Sequence, residues 1–370
     1  MRRPVLSAAR RLAALTLATA VVAACGMTPG GTGGAEEGSD VAAVDLSAAT
    51  VLDDPKAYEG ASHASLADTT ITPVDSSPRQ TLPVTVTDAQ GTKVTILDTS
   101  RILALDIYGT LSQTVFELGL GDRVVGRDVS TQFAEARKLP LVTSNGHDLT
   151  AESILELDPT VILTDTSLGP WDVILQMRDS GIPVVVTDSQ RSLDNIGSLT
   201  QEVADALGVP DAGVELGQRI EAEAAATRAA IAKVAPTAVQ DKLRMVFLYV
   251  RGQAGVYYMF GEGSGADGLI DALGGYDVAR EIGWNGMKPV NDEAIIAAQP
   301  DLVIMMSKGL ESVGGVDGLL DRLPAIANTP AGQKRRIVDM QDTQVLSFGP
   351  RTAEVLNSLA VSVYAPESVR

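Results

Sequence analysis

Few side chains in this sequence carry unusual chemistry. The chain has two histidines, His63 and His147, and one cysteine, Cys25. Zinc sites draw mostly on His and Cys, so two histidines make it a poor zinc binder. His147 lies in Asn145-Gly146-His147-Asp148, after an expected strand at 140–144 (PLVTS). A helix should start near Ala151, with Thr150 as its cap. In open α/β sheets, such strand-to-helix loops form the ligand edge. The second cluster is Tyr249-x-Arg251, at the end of the expected strand RMVFLYVRG. Side chains alternate along a strand, so both point to one side. An adjacent guanidinium also favours the phenolate form of a tyrosine. Taken singly, His147 reads as a solvated loop residue, and Tyr249 as a core residue beside a surface arginine. Facing each other across a cleft, imidazole and phenolate would be two haem-iron ligands, with phenolate favouring the ferric state.

Other motifs carry less. Gly261-Glu262-Gly263-Ser264-Gly265-Ala266 formally fits a dinucleotide fingerprint, but its strand is not the first of a nucleotide-binding half. Its small residues, like Ser312-Val313-Gly314-Gly315, would let backbone approach a flat ligand or form a plain loop. No Gly-x-Ser-x-Gly elbow occurs. Asp106, Asp128 and Asp165 end expected strands, and nothing in the sequence pairs them into a site.

Cys25 belongs to the N-terminus. Arg2, Arg3, Arg10 and Arg11 precede the apolar run at 12–24 (LAALTLATAVVAA), which reads as an export leader. It is shorter than the ~20 residues that span a bilayer. The run ends Val22-Ala23-Ala24-Cys25, which resembles the bacterial lipobox and implies cleavage before Cys25 and lipid on its sulfur. The alternative is an ordinary signal peptide with a free thiol, a liability outside the cell. Loss of the four leader arginines takes the net charge from −18 to −22. So acidic a body argues against nucleic acid.

The positions of these residues depend on the elements between them. Residues 26–40 are Gly-rich and acidic, a flexible tether. Order is expected from Leu82 onward, beginning with a hairpin, VTVTD and KVTIL about Ala89-Gln90-Gly91. Expected strands then alternate with helices: RILALD, VVGRD, PLVTS, TVILTD and PVVVTD, and later MVFLYV, GVYYMF, DLVIMM, RIVDM and QVLSF. Short apolar strands in βα alternation argue for largely parallel sheets covered on both faces. Between the two runs, residues 211–234 read as a long helix closed by Pro236. Glu152-x-Ile154-x4-Pro159 recurs as Glu293-x-Ile295-x4-Pro300, each before an apolar strand. The repeat suggests two similar lobes. The expected organisation is a leader at 1–24, a lipid-anchored tether and extension at 25–80, a first lobe at 81–207, a linking helix at 208–236 and a second lobe at 237–370.

Five segments carry a family resemblance: LALDIYGTLSQTVFELGLGDRVVGRDVST, SNGHDLTAESILELDPTVILTD, FLYVRGQAGVYYMFGEGSGADGLI, GWNGMKPVNDEAI and GLESVGGVDGLL. They resemble the haemin-binding lipoproteins of actinobacterial ABC importers, in the superfamily of siderophore, haem and cobalamin binding proteins. The resemblance implies two Rossmann-like α/β lobes joined by a long linking helix, with the ligand cleft between them. It implies that His147 and Tyr249 ligate the iron of haem b from opposite lobes, with Arg251 bonded to the Tyr249 oxygen and Met287 or Met306 near the ring. It implies that Glu152 and Glu293 contact arginines of the two permease subunits. Partners would be a permease dimer with its ATPase, the membrane through lipidated Cys25, and upstream cell-surface haem proteins. No reaction would be catalysed. A ferric-siderophore or cobalamin binder is the alternative within the superfamily, and an exported hydrolase using His147 the alternative outside it. An aromatic content of 4% leaves much of a haem pocket to aliphatic and Met walls.

Overall fold

The computed structural model describes residues 44–66 and 70–369. The leader and Cys25 lie outside them. Two sheets form the frame. The first is parallel, with Val161–Thr164 between Ile102–Leu105 and Val184–Val186. Every residue of these three strands is buried, which is why their sequences are apolar without alternation.

The second sheet runs in the order Ser62–Ala64, Ile337–Met340, Leu302–Met306, Arg244–Arg251, Val256–Phe260, Met287–Pro289. Its last two strands are antiparallel, so this sheet is mixed rather than parallel. The core lies on both of its faces. Met245 and Phe247 pack on one side, while Val246, Leu248 and Val250 pack on the other.

The expected strands at 124–128 and 140–144 shrink to the bridges Ile102–Val124 and Arg127–Leu141 and a two-residue ladder at Thr143–Ser144. QVLSF is not a strand. Val345, Leu346 and Phe348 are buried by packing into the main core, and their backbone runs through successive turns closed by Val345 N to Gln341 O and Ser347 N to Gln344 O. Apolarity there reports burial rather than pairing.

The helix Pro210–Val234 joins the two halves. Its 25 residues span about 37 Å. Pro210 suits its first turn, where no N–H is required. It packs against Ile196–Ala206 and Thr352–Tyr364. The first contact is close: a Cβ on Gly213 would lie 2.4 Å from the Ala204 Cβ.

Order begins well before Leu82. The Asn357 side chain accepts from Leu46 N (3.0 Å) and donates to Val44 O (2.8 Å). Ser62–Ala64 then adds a parallel strand to the second sheet. Buried Arg336 donates to Ser62 Oγ (2.9 Å) and Val363 O (2.8 Å), with its guanidinium 4.6 Å from the Tyr58 ring. Further on, Val74 N donates to Glu117 O (2.9 Å) in the first half. These partners lie far away in sequence, so the segment shows no local periodicity.

Asp106, Asp128 and Asp165, unpaired in the sequence, converge in the fold. All three are buried, and Asp106 and Asp165 flank Arg191. Arg191 Nη2 lies 2.8 Å from Asp165 Oδ2 and 3.7 Å from Asp106 Oδ2. Asp128 accepts from the Asp106 N–H at 3.2 Å. Burial pushes the Asp106 and Asp128 carboxyls up. One guanidinium thus holds the strand ends of the first sheet together, and removing one partner of a buried pair strands its charge. Arg191→Met is expected to cost about 3–5 kcal/mol of stability, read as a lower midpoint in urea denaturation. A midpoint like that of the wild type would mean that the carboxylates do not need it.

Candidate functional site

The two histidines have different surroundings. His147 sits on a small hairpin: Thr143–Ser144 pairs with Asp148–Leu149, and Asn145 and Gly146 turn the chain with φ of 46° and 91°. Thr150 precedes the helix Ala151–Glu156, but its hydroxyl donates to Ser144 Oγ (3.3 Å) rather than capping the helix. The hairpin leaves the imidazole exposed. Its pKa is lowered, first by partial burial and then by the charges of Arg251 and Lys308, with Asp342 and Asp148 opposing. Arg251, Lys308 and Asp342 all belong to the second half. The hairpin of the first half therefore holds His147 within their field.

Tyr249 occupies the end of Arg244–Arg251, cross-strand from Tyr258. Its ring stacks on Phe260 at 6.1 Å between centroids. Arg251 covers the other part of the ring, with its guanidinium carbon 4.4 Å from the centroid. This differs from the expected bond to the phenol oxygen. Arg251 Nη2 instead donates to Asp342 Oδ2 (2.7 Å), and Nη1 donates to Val250 O (2.9 Å). A carboxylate is the stronger acceptor and draws the guanidinium across the ring face. Asp342 Oδ1 also accepts from Lys308 N (3.1 Å), at the start of Ser307–Ser312. Asp342 and Lys308 are site residues that the sequence reading missed. Asp342 lies in a loop and Lys308 in the first turn of the short helix Ser307–Ser312, and only the fold brings them beside Tyr-x-Arg.

The two methionines separate. Met287 is 54% exposed, on the strand opposite Phe260. Met306 is buried in the core with Ile304 and Met340. Phe247, Tyr249, Tyr258 and Phe260 share one face of two adjacent strands, four of the fourteen aromatic residues in the chain, while Tyr257 and Trp284 pack on the opposite face. A low aromatic total therefore still yields an aromatic wall. The glycine-rich segment 261–266 serves the packing of the chain itself: a Cβ on Gly261 would lie 1.9 Å from Trp284 O, and one on Gly265 3.1 Å from Arg191 O. Glu152 and Glu293 are exposed in the first turns of Ala151–Glu156 and Asp292–Ala298. Among the described residues, no cluster of His, Cys, Asp and Glu could hold a bare metal ion. Imidazole and phenol here suit a ligand that brings its iron already held in a ring.

Comparison with known proteins gives a consistent picture. Residues 107–343 match the family model described as periplasmic binding protein. The structure superposes on the haem-binding protein HmuT with a TM-score of 0.78, at 40% identity, covering 84% of this chain and 99% of that one. HmuT has also been solved with an arginine, a tyrosine and a histidine each replaced by alanine, the tyrosine and arginine being next but one in sequence. The uncharacterized ABC transporter substrate-binding lipoprotein YvrC of Bacillus subtilis is 25% identical over 290 residues, 77% of this chain and 87% of its own. A cobalamin-binding protein of Halobacterium salinarum is 25% identical over 294 residues, 75% and 73% of the two chains.

The electrostatics of the site can be read in the apo protein. His63 Nδ1 lies 2.7 Å from Asp339 Oδ2, and this hydrogen bond raises the His63 pKa. The two imidazoles should therefore titrate on opposite sides of the ordinary value of 6.5, His63 above and His147 below. Imidazole NMR titration checks this. Asp339→Asn should lower His63 alone, and Arg251→Met with Lys308→Met should raise His147 alone. A wild-type His147 titrating above 6.5 would contradict the influence of Arg251 and Lys308.

Proposed function

Because the chain belongs to the periplasmic binding protein family, whose relatives bind substrates for transport and are not enzymes, we propose that it captures haem outside the cytoplasm and delivers it to an ABC permease. One observation carries the proposal. His147 stands exposed on a hairpin of the first half, while in the second half Tyr249 ends a central strand under Arg251, which Asp342 fixes. Imidazole and phenol oxygen are both haem-iron ligands, one offered by each half. The lowered pKa favours the neutral imidazole, the form that has a free ring lone pair. Arg251, fixed by Asp342, lies across the Tyr249 ring and holds that side chain in place. Exposed Met287 offers apolar surface to the ring, while Phe260, buried behind Tyr249, and Met306 belong to the core. The replaced His, Tyr and Arg of HmuT have counterparts in type in His147, Tyr249 and Arg251, with the same Tyr-x-Arg spacing. An exported hydrolase finds no support among these relatives. Cobalamin remains the alternative cargo, because one relative is a cobalamin-binding protein.

Delivery would take place at the membrane. Lipid on Cys25 would hold the protein there, and Glu152 and Glu293 would meet cationic residues of two permease subunits, where their ATPase drives uptake. Upstream cell-surface haem proteins would supply the cargo.

Haemin titration tests the cargo. Tyr249→Ala should abolish a phenolate charge-transfer band, and His147→Ala should shift the Soret band and weaken binding. Arg251→Ala should cost about 10–100-fold in affinity, as supporting residues of metal sites do. Cyanocobalamin in excess should displace none of the haemin. Unchanged spectra in both ligand variants would refute the assignment. Cell fractionation tests the anchor: Cys25→Ser should release the protein from membranes, whereas retention through a high-salt wash would exclude lipidation at this residue.

A further inference from the structure

The internal repeat matches more than its carboxylates. Residues 152–159 and 293–300 share Glu, Ile and Pro in register. Ile154 and Ile295 are buried. Asp158 and Gln299, each just before the proline, both have left-handed backbone, with φ of 45° and 42°. Neither is glycine, so the same uncommon helix exit has been built twice. The residues after the buried isoleucines, Leu155 and Ile296, are 39% and 53% exposed. The described residues expose eight large apolar side chains this far, and two of them occupy this one repeat position.

Each exposed aliphatic residue lies three positions after its glutamate, so the pair shares one face of the helix. Neither helix has a basic residue. Each helix turns directly into a strand, Val161–Thr164 or Leu302–Met306. A helix joined so closely runs antiparallel to that strand, and its start lies at the strand's C-terminal edge. That is the ligand edge, to which Tyr249 also belongs.

We infer that Leu155 and Ile296 are a matched pair of apolar contacts. Each seats, beside its glutamate, in one of two equivalent sockets on a two-fold-symmetric pair of permease subunits. Each socket joins a cationic side chain to an apolar hollow. The inference rests on the permease docking proposed above. Two matched patches on two non-identical lobes fit a partner that presents the same surface twice. An anionic lipid surface would repel both glutamates, and a second copy of this chain would bring like charges together. A partner bridging both patches would also lie over the mouth of the cleft, where cargo leaves.

The test measures binding of the haem-loaded protein to its permease–ATPase complex in nanodiscs, with empty nanodiscs as control. The variants are Leu155→Gln/Ile296→Gln, Glu152→Ala/Glu293→Ala, and Leu175→Gln/Val214→Gln, which removes exposed apolar groups elsewhere. Gln keeps helix propensity, and haemin titration verifies that each variant is folded. The first variant should bind the complex about tenfold more weakly or worse, with little dependence on salt. The glutamate variant should lose most at low salt, because exposed charge pairs are screened. The control should bind like wild type. If the glutamate variant weakens and the Leu155/Ile296 variant does not, the apolar contacts are refuted and docking stands. If neither weakens, the docking reading itself fails. Equal loss in the control would refute a specific socket.

Discussion

Alternation along Arg244–Arg251 is the constraint on which the site depends. This strand is paired on both sides, antiparallel to Val256–Phe260 and parallel to Leu302–Met306. Its two faces go into separate cores. A slip of one residue would send Phe247, Tyr249 and Arg251 to the face now filled by Val246, Leu248 and Val250. Burial on both faces forbids that slip. Tyr249 therefore meets Phe260, and Arg251 reaches back over the ring to Asp342, because the register allows no other arrangement.

Features that depend on near neighbours in sequence were legible. The buried strands, the long helix and the Glu-Ile-Pro repeat follow from local patterns of apolar residues, Pro and Glu, and the structure adds matching left-handed exits at Asp158 and Gln299. Features that depend on distant partners were not. QVLSF has the composition of a strand but finds no partner strand, and it is buried as a turn. Residues 44–66 look aperiodic because Asn357, Arg336 and the strand Ile337–Met340 hold them, all far away in sequence. Thr150 stands where a cap should, yet its hydroxyl is drawn to Ser144 by the hairpin.

The site residues divide in the same way. Tyr249 and Arg251 were visible because a strand fixes their common side. His147 was visible because histidine is scarce and its loop follows a strand. Asp342 and Lys308 carry no such mark, since acidic residues in loops and basic residues in helices are common. Their meaning comes from the guanidinium that one binds and the imidazole that both influence. The Arg251 geometry also needed the structure, because the sequence shows its neighbour Tyr249 and hides its partner Asp342.

The equivalent ends of the two sheets do different work, which explains why the first half offers a hairpin residue to the site. In the first sheet, Asp106 and Asp165 at the strand ends are spent on Arg191, and all three are buried. Charges neutralised inside the protein cannot also reach a ligand without exposing the others. Above them the chain packs against the second half: Thr110 Oγ1 donates to Ser347 O (3.0 Å), and Gly265 lies close to Arg191 O. The strand ends of the first sheet are thus closed. In the second sheet, Tyr249 and Arg251 remain half-buried and open to solvent. A group that reaches the same space from the first half has to project from beyond its strand ends. The turn at Asn145 and Gly146 provides that projection, and His147 follows it directly.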